Sequence, residues 1–185
     1  MTFLVDYDPG SPERRKVVMN IFILDEDIER CAQYHCDQHV NKMVLESAQM
    51  LCTALNKKGF TTPYRSTHIN HPCVLWIESS YDHFEWLKEL ALELNREGCL
   101  RYNRDKDHAS IAIIQQIENH QYERAGSLPF AQAMPDQYKI EGDPVSAYRA
   151  FYIGEKSSFA TWRNREIPAW YESKISKQDL SGSNV

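Results

Sequence analysis

The chain has 185 residues, a formal net charge of −5 at pH 7 and apolar residues at 42% of its positions. This length suits one domain with its own core and is short for two. The negative charge argues against indiscriminate binding of nucleic acid, although it allows a local basic pocket. Because the sequence lacks both a run of about 18 apolar residues and the basic start of a signal peptide, its pattern excludes a membrane-spanning helix and a secretory leader.

Cysteine usage indicates the redox compartment. The five cysteines are odd in number, lie among apolar residues in helical patterns and form no Cys-x-x-Cys pair. This distribution favours buried free thiols in a reducing compartment over disulfides or a metal site. They are Cys31, Cys36, Cys52, Cys73 and Cys99.

The two ends of the chain differ from its middle. Residues 1–18 are turn-rich and charged, so we expect a loose extension ahead of a single domain over residues 19–172, with a disordered tail at 173–185. Met19 opens the segment MNIFILD and is a candidate alternative initiation site, which leaves open whether residues 1–18 belong to the native protein. Apolar runs at residues 3–5 and 20–24 are compatible with a short N-terminal β-hairpin.

Between these ends the pattern predicts a mainly α fold, with a single compact multi-helix domain around a buried central helix. The first helix should be capped by Asp25 or Asp27 and run to Asn56. Three further helices are predicted over about 73–97, 108–124 and 145–156, starting near Pro72, His108 and Pro144. The long loop over residues 127–143 carries apolar residues, and ordered loops of that length are often functional.

The densest set of reactive side chains lies on the stretch from His35 to Leu55. At about 100° per residue, His35, His39, Lys42 and Glu46 share an arc of about 60° on a helix that is otherwise mostly apolar. This strip is either the solvent-facing side of the helix or the wall of a cleft. We favour the cleft, since two imidazoles beside a cation and a carboxylate are more than solubility requires.

A second stripe lies on the last long helix. Arg149, Tyr152 and Lys156 share a face there, and Trp162 follows shortly after. Cations interleaved with aromatic rings suit a phosphate and a stacked base. The alternative is an amphipathic helix whose cations extend over aromatic core residues.

Three residues outside these stripes are candidates for binding an anion. His71 lies where a loop meets the predicted helix at Pro72, and His108 starts another predicted helix beside the basic cluster that contains Arg101. Free amides at helix starts favour anions such as phosphate. For His71 the plainer alternative is that it merely caps its helix.

A metal site is the chemistry that His35, His39 and Glu46 would otherwise suggest. Lys42 argues against it, because its positive charge would lie on the face that holds the cation. His-Glu-x-x-His, the phosphate-binding glycine loop and the dinucleotide fingerprint are all absent from the sequence. We therefore predict neither a metal nor a cofactor.

Several segments together resemble a known family. They are MNIFILD, YHCDQHVNKMVLESAQML, THINHPCVLW, the spacing of Arg101, Tyr102 and His108, and AMPDQYK followed by AYRAFY. Over about residues 19–171 the chain resembles an uncharacterised family of small proteins of tailed phages and large DNA viruses. The resemblance implies a virus-encoded protein in the cytoplasm of the infected cell, where small viral enzymes often act on nucleotides or on modified DNA. It carries over no catalytic residue.

The leading hypothesis is a metal-independent enzyme that acts on a nucleotide or on a nucleobase in nucleic acid. Its reaction would be transfer or cleavage at the glycosidic bond or the phosphate. His39 or His35 would move the proton, and Glu46 would orient or activate it. Phosphate would be held by cations, and Tyr152 or Trp162 would stack on a base. The candidate phosphate-binding residues are Lys42, His71, Arg101, His108, Arg149 and Lys156.

Two other functions remain open at this point. The aromatic and basic C-terminal region also fits a non-enzymatic module that captures a host protein or nucleic acid. Alternatively, His35, His39 and Glu46 would build a metal-dependent hydrolase or oxygenase. The predicted partner is a nucleotide or nucleic acid and not a membrane, and the oligomeric state stays open.

Overall fold

The computed structural model describes residues 19–118, 122–124 and 129–173. Within these ranges the chain is helical and contains no strand, which confirms the mainly α prediction. The α-helices in chain order are α1 (Ile28–Tyr34), α2 (Asp37–Lys57), α3 (Pro72–Glu78), α4 (Tyr81–Tyr102), α5 (Ile111–Gln116) and α6 (Pro144–Lys156), with a 3-10 turn at Asp136–Tyr138. The predicted extension over residues 1–18 lies outside the described residues, as does the tail from residue 174 onward.

The predicted first helix is two helices, because the chain breaks at His35 and Cys36. Both residues have extended backbone, with ψ of 136° and 162°. Distant groups satisfy the polar atoms that the break releases: the His35 carbonyl accepts from Nη1 of Arg101 at 2.9 Å, and the Asp37 N–H donates to the Thr161 carbonyl at 2.8 Å. Helix ends need such partners. As a result, His35 does not share a helix with His39, contrary to the prediction.

The predicted second helix is also divided, since α3 ends at residue 78 and α4 begins at residue 81. Ser80 caps α4 by accepting a hydrogen bond from the Asp82 N–H at 3.2 Å. The predicted end near residue 97 is also wrong, because α4 continues to Tyr102 and Gly98 lies inside it. A Cβ there would collide with the side chains of Arg104 and Asn41, so the glycine permits close packing of α4 on α2. The helix predicted over about 108–124 corresponds to α5, which is shorter and spans Ile111–Gln116.

The segment over residues 19–24 forms no strand, so the predicted hairpin is wrong for the half that the structure describes. The segment is buried and runs between α2 and α6. The Phe22 ring stacks on His39 at 4.7 Å between centroids and meets the Tyr152 ring edge-on at 5.2 Å. The Leu24 carbonyl accepts from Nε of Arg149 at 2.8 Å. Because side chains satisfy these backbone groups, the segment needs no partner strand.

Helix α2 is the centre of the domain, as predicted. It packs against α3, α4 and α5, and most of its circumference is buried. The cap predicted for the first helix is present at α1, where Asp27 accepts from the Arg30 N–H, and Asp143 caps α6 by accepting from the Ser146 N–H. All five cysteines are free thiols, and four of them are buried. Among the described helices, none combines the length and the apolar character that a membrane crossing requires.

A candidate active site between α2 and α6

A cleft of about 730 Å³ opens between α2 and α6. This volume falls in the range of about 300–1,000 Å³ that is typical of ligand sites. Residues of both predicted stripes line this cleft, together with the segment after Met19 and the loop before the 3-10 turn. Its main lining residues are Asn20, Phe22, His39, Lys42, Glu46, His71, Gln132, Ala133, Met134, Lys139, Phe151, Glu155, Lys156 and Phe159.

Glu46 supplies the cleft's buried carboxylate. Its Oε2 accepts a hydrogen bond from the Asn20 backbone N–H at 3.3 Å, and its Oε1 lies 3.3 Å from Nζ of Lys42. Burial raises the pKa of the Glu46 carboxyl, while Lys42, the Asn20 N–H and His68 act in the opposite direction. A carboxyl group with a raised pKa in a cleft is suited to proton transfer.

His39 is held by the Tyr152 phenol behind it. Its Nδ1 lies 2.5 Å from the Tyr152 oxygen, and its ring stacks on Phe22. Burial lowers the pKa of His39 to about 2, with further lowering from positive charge on His35, Lys156 and Lys42. The imidazole is therefore neutral at physiological pH.

The position of the His39 proton follows from the partners of Tyr152. The Tyr152 oxygen accepts from the Cys36 N–H at 3.2 Å, so its own proton must point elsewhere. The Cys36 sulfur lies 3.6 Å away, whereas Nδ1 of His39 lies at 2.5 Å and is the stronger acceptor. Burial also raises the pKa of Tyr152 well above its ordinary value, so the phenol keeps its proton. On these grounds we assign the His39 proton to Nε2, which leaves that N–H available as a donor.

His35 lies behind the cleft and not in it. The side chain is fully buried, and its Nδ1 donates to the Cys31 carbonyl at 2.7 Å. Burial lowers the pKa of His35 to about 4. Its ring meets Phe22 and Tyr152 edge-on. The structure therefore separates the two histidines that the sequence placed on one strip.

Arg101 and Arg149 are engaged in contacts away from the cleft. Arg101 is fully buried, and its guanidinium binds Glu97 at 2.6 Å and Asp37 at 3.0 Å. Arg149 pairs with Asp25 at 3.0 Å and lies over the Trp170 ring. Of the α6 stripe, only Lys156 lines the cleft, with Tyr152 directly behind it.

The remaining candidates divide in the same way. The Trp162 indole N–H donates to the Tyr34 carbonyl at 3.0 Å, outside the cleft. His108 accepts from the Ser110 N–H, also outside it. His71 does line the cleft, and its Nδ1 accepts from the Cys73 N–H at 3.2 Å, so it also caps α3.

The residues that the structure describes do not gather a set of metal ligands in this arrangement. Among the described residues, no three His, Cys, Asp or Glu side chains lie close enough together to bind a metal ion. His35 is buried behind the Phe22 ring, and Lys42 lies on the same face of α2 as His39 and Glu46. These positions do not favour the metal-dependent alternative.

Asn20 is a site residue that the sequence reasoning missed. Its Oδ1 accepts from the Tyr148 hydroxyl at 3.0 Å, and its Nδ2 donates to the Ala133 carbonyl at 2.8 Å. Asn20 therefore connects α6 and the loop at Ala133 to the cleft, where its own backbone N–H donates to Glu46. One signal was present, because Asn20 is a polar residue at the head of an apolar run. Phe159, whose ring also lines the cleft, was not marked by any comparable feature of the sequence.

Comparison with known proteins gives one match. The family model of pyrimidine dimer DNA glycosylases matches residues 19–110, just under half of the chain. No curated protein and no solved structure matches the chain. The matched residues run through α1 to α4 and include Asn20, His39, Lys42 and Glu46, but not α6. The similarity agrees with the expectation of a protein that acts on DNA, and it covers one wall of the cleft.

Proposed function

We propose that this chain is a DNA glycosylase that removes a damaged pyrimidine base by cleaving its N-glycosidic bond. The reacting nucleotide would occupy the cleft between α2 and α6. The observation that carries the proposal is Glu46, a buried carboxylate between an amine and a backbone N–H, inside the stretch that is similar to pyrimidine dimer DNA glycosylases.

The shape of the cleft supports a base that has left the DNA stack. A glycosylase must reach the sugar C1′, so it extrudes the nucleotide at a cost of a few kcal/mol, which is smallest for a damaged base. The rings of Phe151 and Phe159 give the cleft apolar surface on which a base can pack. Stacking on such rings contributes about 1–3 kcal/mol per base and offsets the cost. Lys42 and Lys156 add positive charge for a phosphate.

Bond cleavage assigns separate roles to the two central side chains. As the C1′–N bond breaks, its electron pair leaves with the base and positive charge develops on the sugar. The Glu46 carboxylate stabilises that charge and takes the proton from an attacking water, whose oxygen forms the new C1′–O bond. His39 donates its Nε2–H to the base and so stabilises the departing electron pair, which a proton later neutralises. In this scheme His39 is a hydrogen-bond donor and not the proton carrier.

The amine of Lys42, beside Glu46, is a possible nucleophile in place of water. Nζ of Lys42 lies 3.3 Å from Oε1 of Glu46. An amine that attacked C1′ would expel the base and leave an imine after the sugar ring opens, and borohydride would reduce that imine to a stable covalent adduct. In a chain that began at Met19, the α-amino group would lie one residue from the Asn20 contact to Glu46. Peptide mapping of the adduct would distinguish the two amines.

The proposal is tested on duplex oligonucleotides that contain one thymine dimer, with an undamaged duplex as the substrate control. Because the cyclobutane ring keeps the detached thymine joined to its neighbour, cleavage is scored as an alkali-labile abasic site at the dimer and not as free base. We expect the full chain to form this site and Glu46→Gln to form it at least 100-fold more slowly. Glu78→Gln is the matched variant, because Glu78 is paired with Lys57 at 2.6 Å outside the cleft. Absence of glycosidic cleavage, or full activity in Glu46→Gln, would overturn the proposal. Stoichiometric binding without turnover would instead favour the binding module.

A further inference from the structure

A second cavity, of about 410 Å³, shares Glu46 with the cleft as a lining residue. It is lined by the loop over residues 64–68, together with Met19 and Gln49. Because Glu46 lines both hollows, they meet at this carboxylate. A DNA strand whose reacting sugar lies at Glu46 could therefore place part of a neighbouring nucleotide in the second cavity.

The second cavity presents hydrogen-bond donors without protein partners. Arg65 is exposed, and its guanidinium makes no hydrogen bond or ion pair with any residue that the structure describes. The Gln49 amide and the Ser66 hydroxyl are likewise unengaged among those residues. His68 adds an imidazole near enough to Glu46 to lower the pKa of that carboxyl. The donors are those that bind a phosphate.

The loop that carries Arg65 is anchored on both sides. The Thr67 N–H donates to Oγ1 of Thr53 at 3.1 Å, and Nδ2 of Asn56 donates to the Tyr64 carbonyl at 2.9 Å. His68 has a φ of 49°, a left-handed conformation that is uncommon for a residue other than glycine. Non-glycine residues in that region persist where their surroundings hold them, often at ligand sites. The cavity is therefore formed before a ligand arrives.

We propose that this cavity binds the DNA phosphodiester next to the reacting nucleotide, with Arg65 as the principal cation. The inference rests on the proposed function and adds a subsite to it. A phosphate beside Glu46 meets like charge, and the chain as a whole is negative at −5, so binding there needs a local cation. Arg65 offers a planar fork that can bind two phosphate oxygens at once. The contribution of Arg65 to the salt dependence of DNA binding should equal that of one phosphate contact.

The first measurement is equilibrium binding of the thymine-dimer duplex across a range of salt concentrations, in a Glu46→Gln background that prevents turnover. Adding Arg65→Ala should weaken binding about tenfold at low salt and reduce the slope of log K against log salt by about 0.9. Arg96→Ala is the matched control, since Arg96 is an exposed arginine on α4 away from both hollows. It should change neither quantity.

The second measurement locates the phosphate. Duplexes that carry a single neutral methylphosphonate at successive positions around the dimer are bound by the chain with and without Arg65→Ala. At one flanking position the two losses should fail to add, because both remove the same contact. Additive losses at every position, or an unchanged salt slope, would overturn the subsite and leave the glycosylase intact. No binding of damaged DNA at all would overturn both.

Discussion

The phenol oxygen of Tyr152 lies 2.5 Å from Nδ1 of His39, and the Cys36 N–H donates to that same oxygen at 3.2 Å. The pair therefore places the imidazole proton on Nε2. A histidine that looks like an acid–base catalyst in the sequence is thus held as a neutral donor, because burial lowers its pKa to about 2.

Removing the Tyr152 hydroxyl should release this constraint. In Tyr152→Phe the ring packing stays, and we expect the His39 ring to become a mixture of its two neutral tautomers in ¹⁵N NMR spectra. We expect kcat for glycosidic cleavage to fall about tenfold while KM changes little, since the donor is used in the transition state. Tyr122→Phe is the control, because the Tyr122 hydroxyl donates to the Ala54 carbonyl in the core. A wild-type proton on Nδ1 would contradict the assignment.

The pH dependence of activity should report Glu46. Because burial raises the pKa of this carboxyl above its ordinary value of 4.5, kcat/KM should fall as the pH drops through a midpoint above 4.5. No histidine limb is expected between about pH 5 and 8 from His39. In His39→Gln, whose amide still offers a donor, the acid limb should stay in place. A limb that vanished in this variant would instead identify His39 as the titrating group.

His35 should make folding sensitive to acid. Its pKa is lowered to about 4 by burial, below the ordinary 6.5, so the unfolded chain binds a proton at a higher pH than the folded one. The resulting stability is complete above about pH 6.5 and is lost as the pH falls towards 4, by up to about 3 kcal/mol. Urea unfolding of His35→Gln should show a smaller loss over this interval than the wild type. Parallel curves for the two proteins would refute the assignment.

Arg101 should matter for stability rather than for DNA binding. Its guanidinium is fully buried and bridges Glu97 on α4 to Asp37 at the start of α2. Removing one partner of a buried ion network typically costs about 3–5 kcal/mol, because it strands the opposite charge. We expect Arg101→Met to lose free energy of unfolding on that scale in urea. The salt slope of DNA binding should stay unchanged, and a reduced slope would return Arg101 to the phosphate-binding set.

Local pattern was sufficient for the parts of the site that lie on one helix. His39, Lys42 and Glu46 are spaced along α2 so that one face carries all three, and their register follows from helical geometry alone. The start of α6 was equally local, because Asp143 and Pro144 form a cap and a first-turn proline. Both predictions required only residues within a few turns.

The residues whose positions were predicted wrongly are held by partners that are distant in the chain. The helix break at His35 depends on Arg101, 66 residues away. Arg149 and Lys156 share a face of α6, yet Asp25, 124 residues from Arg149, draws its guanidinium away and leaves only the lysine in the cleft. A single sequence does not show which carboxylate reaches which cation, and that choice determines which charges face a substrate.

The two walls of the cleft come from widely separated parts of the chain, and this has a consequence for synthesis. Asn20 is fastened by Tyr148, 128 residues later, and Leu24 by Arg149, 125 residues later. A nascent polypeptide that has emerged only through α4 already carries Glu46, but it lacks the aromatic wall and the hydroxyl that fixes Asn20. Such a chain would have its carboxylate beside an unfinished groove, so a complete cleft would form only after translation of α6.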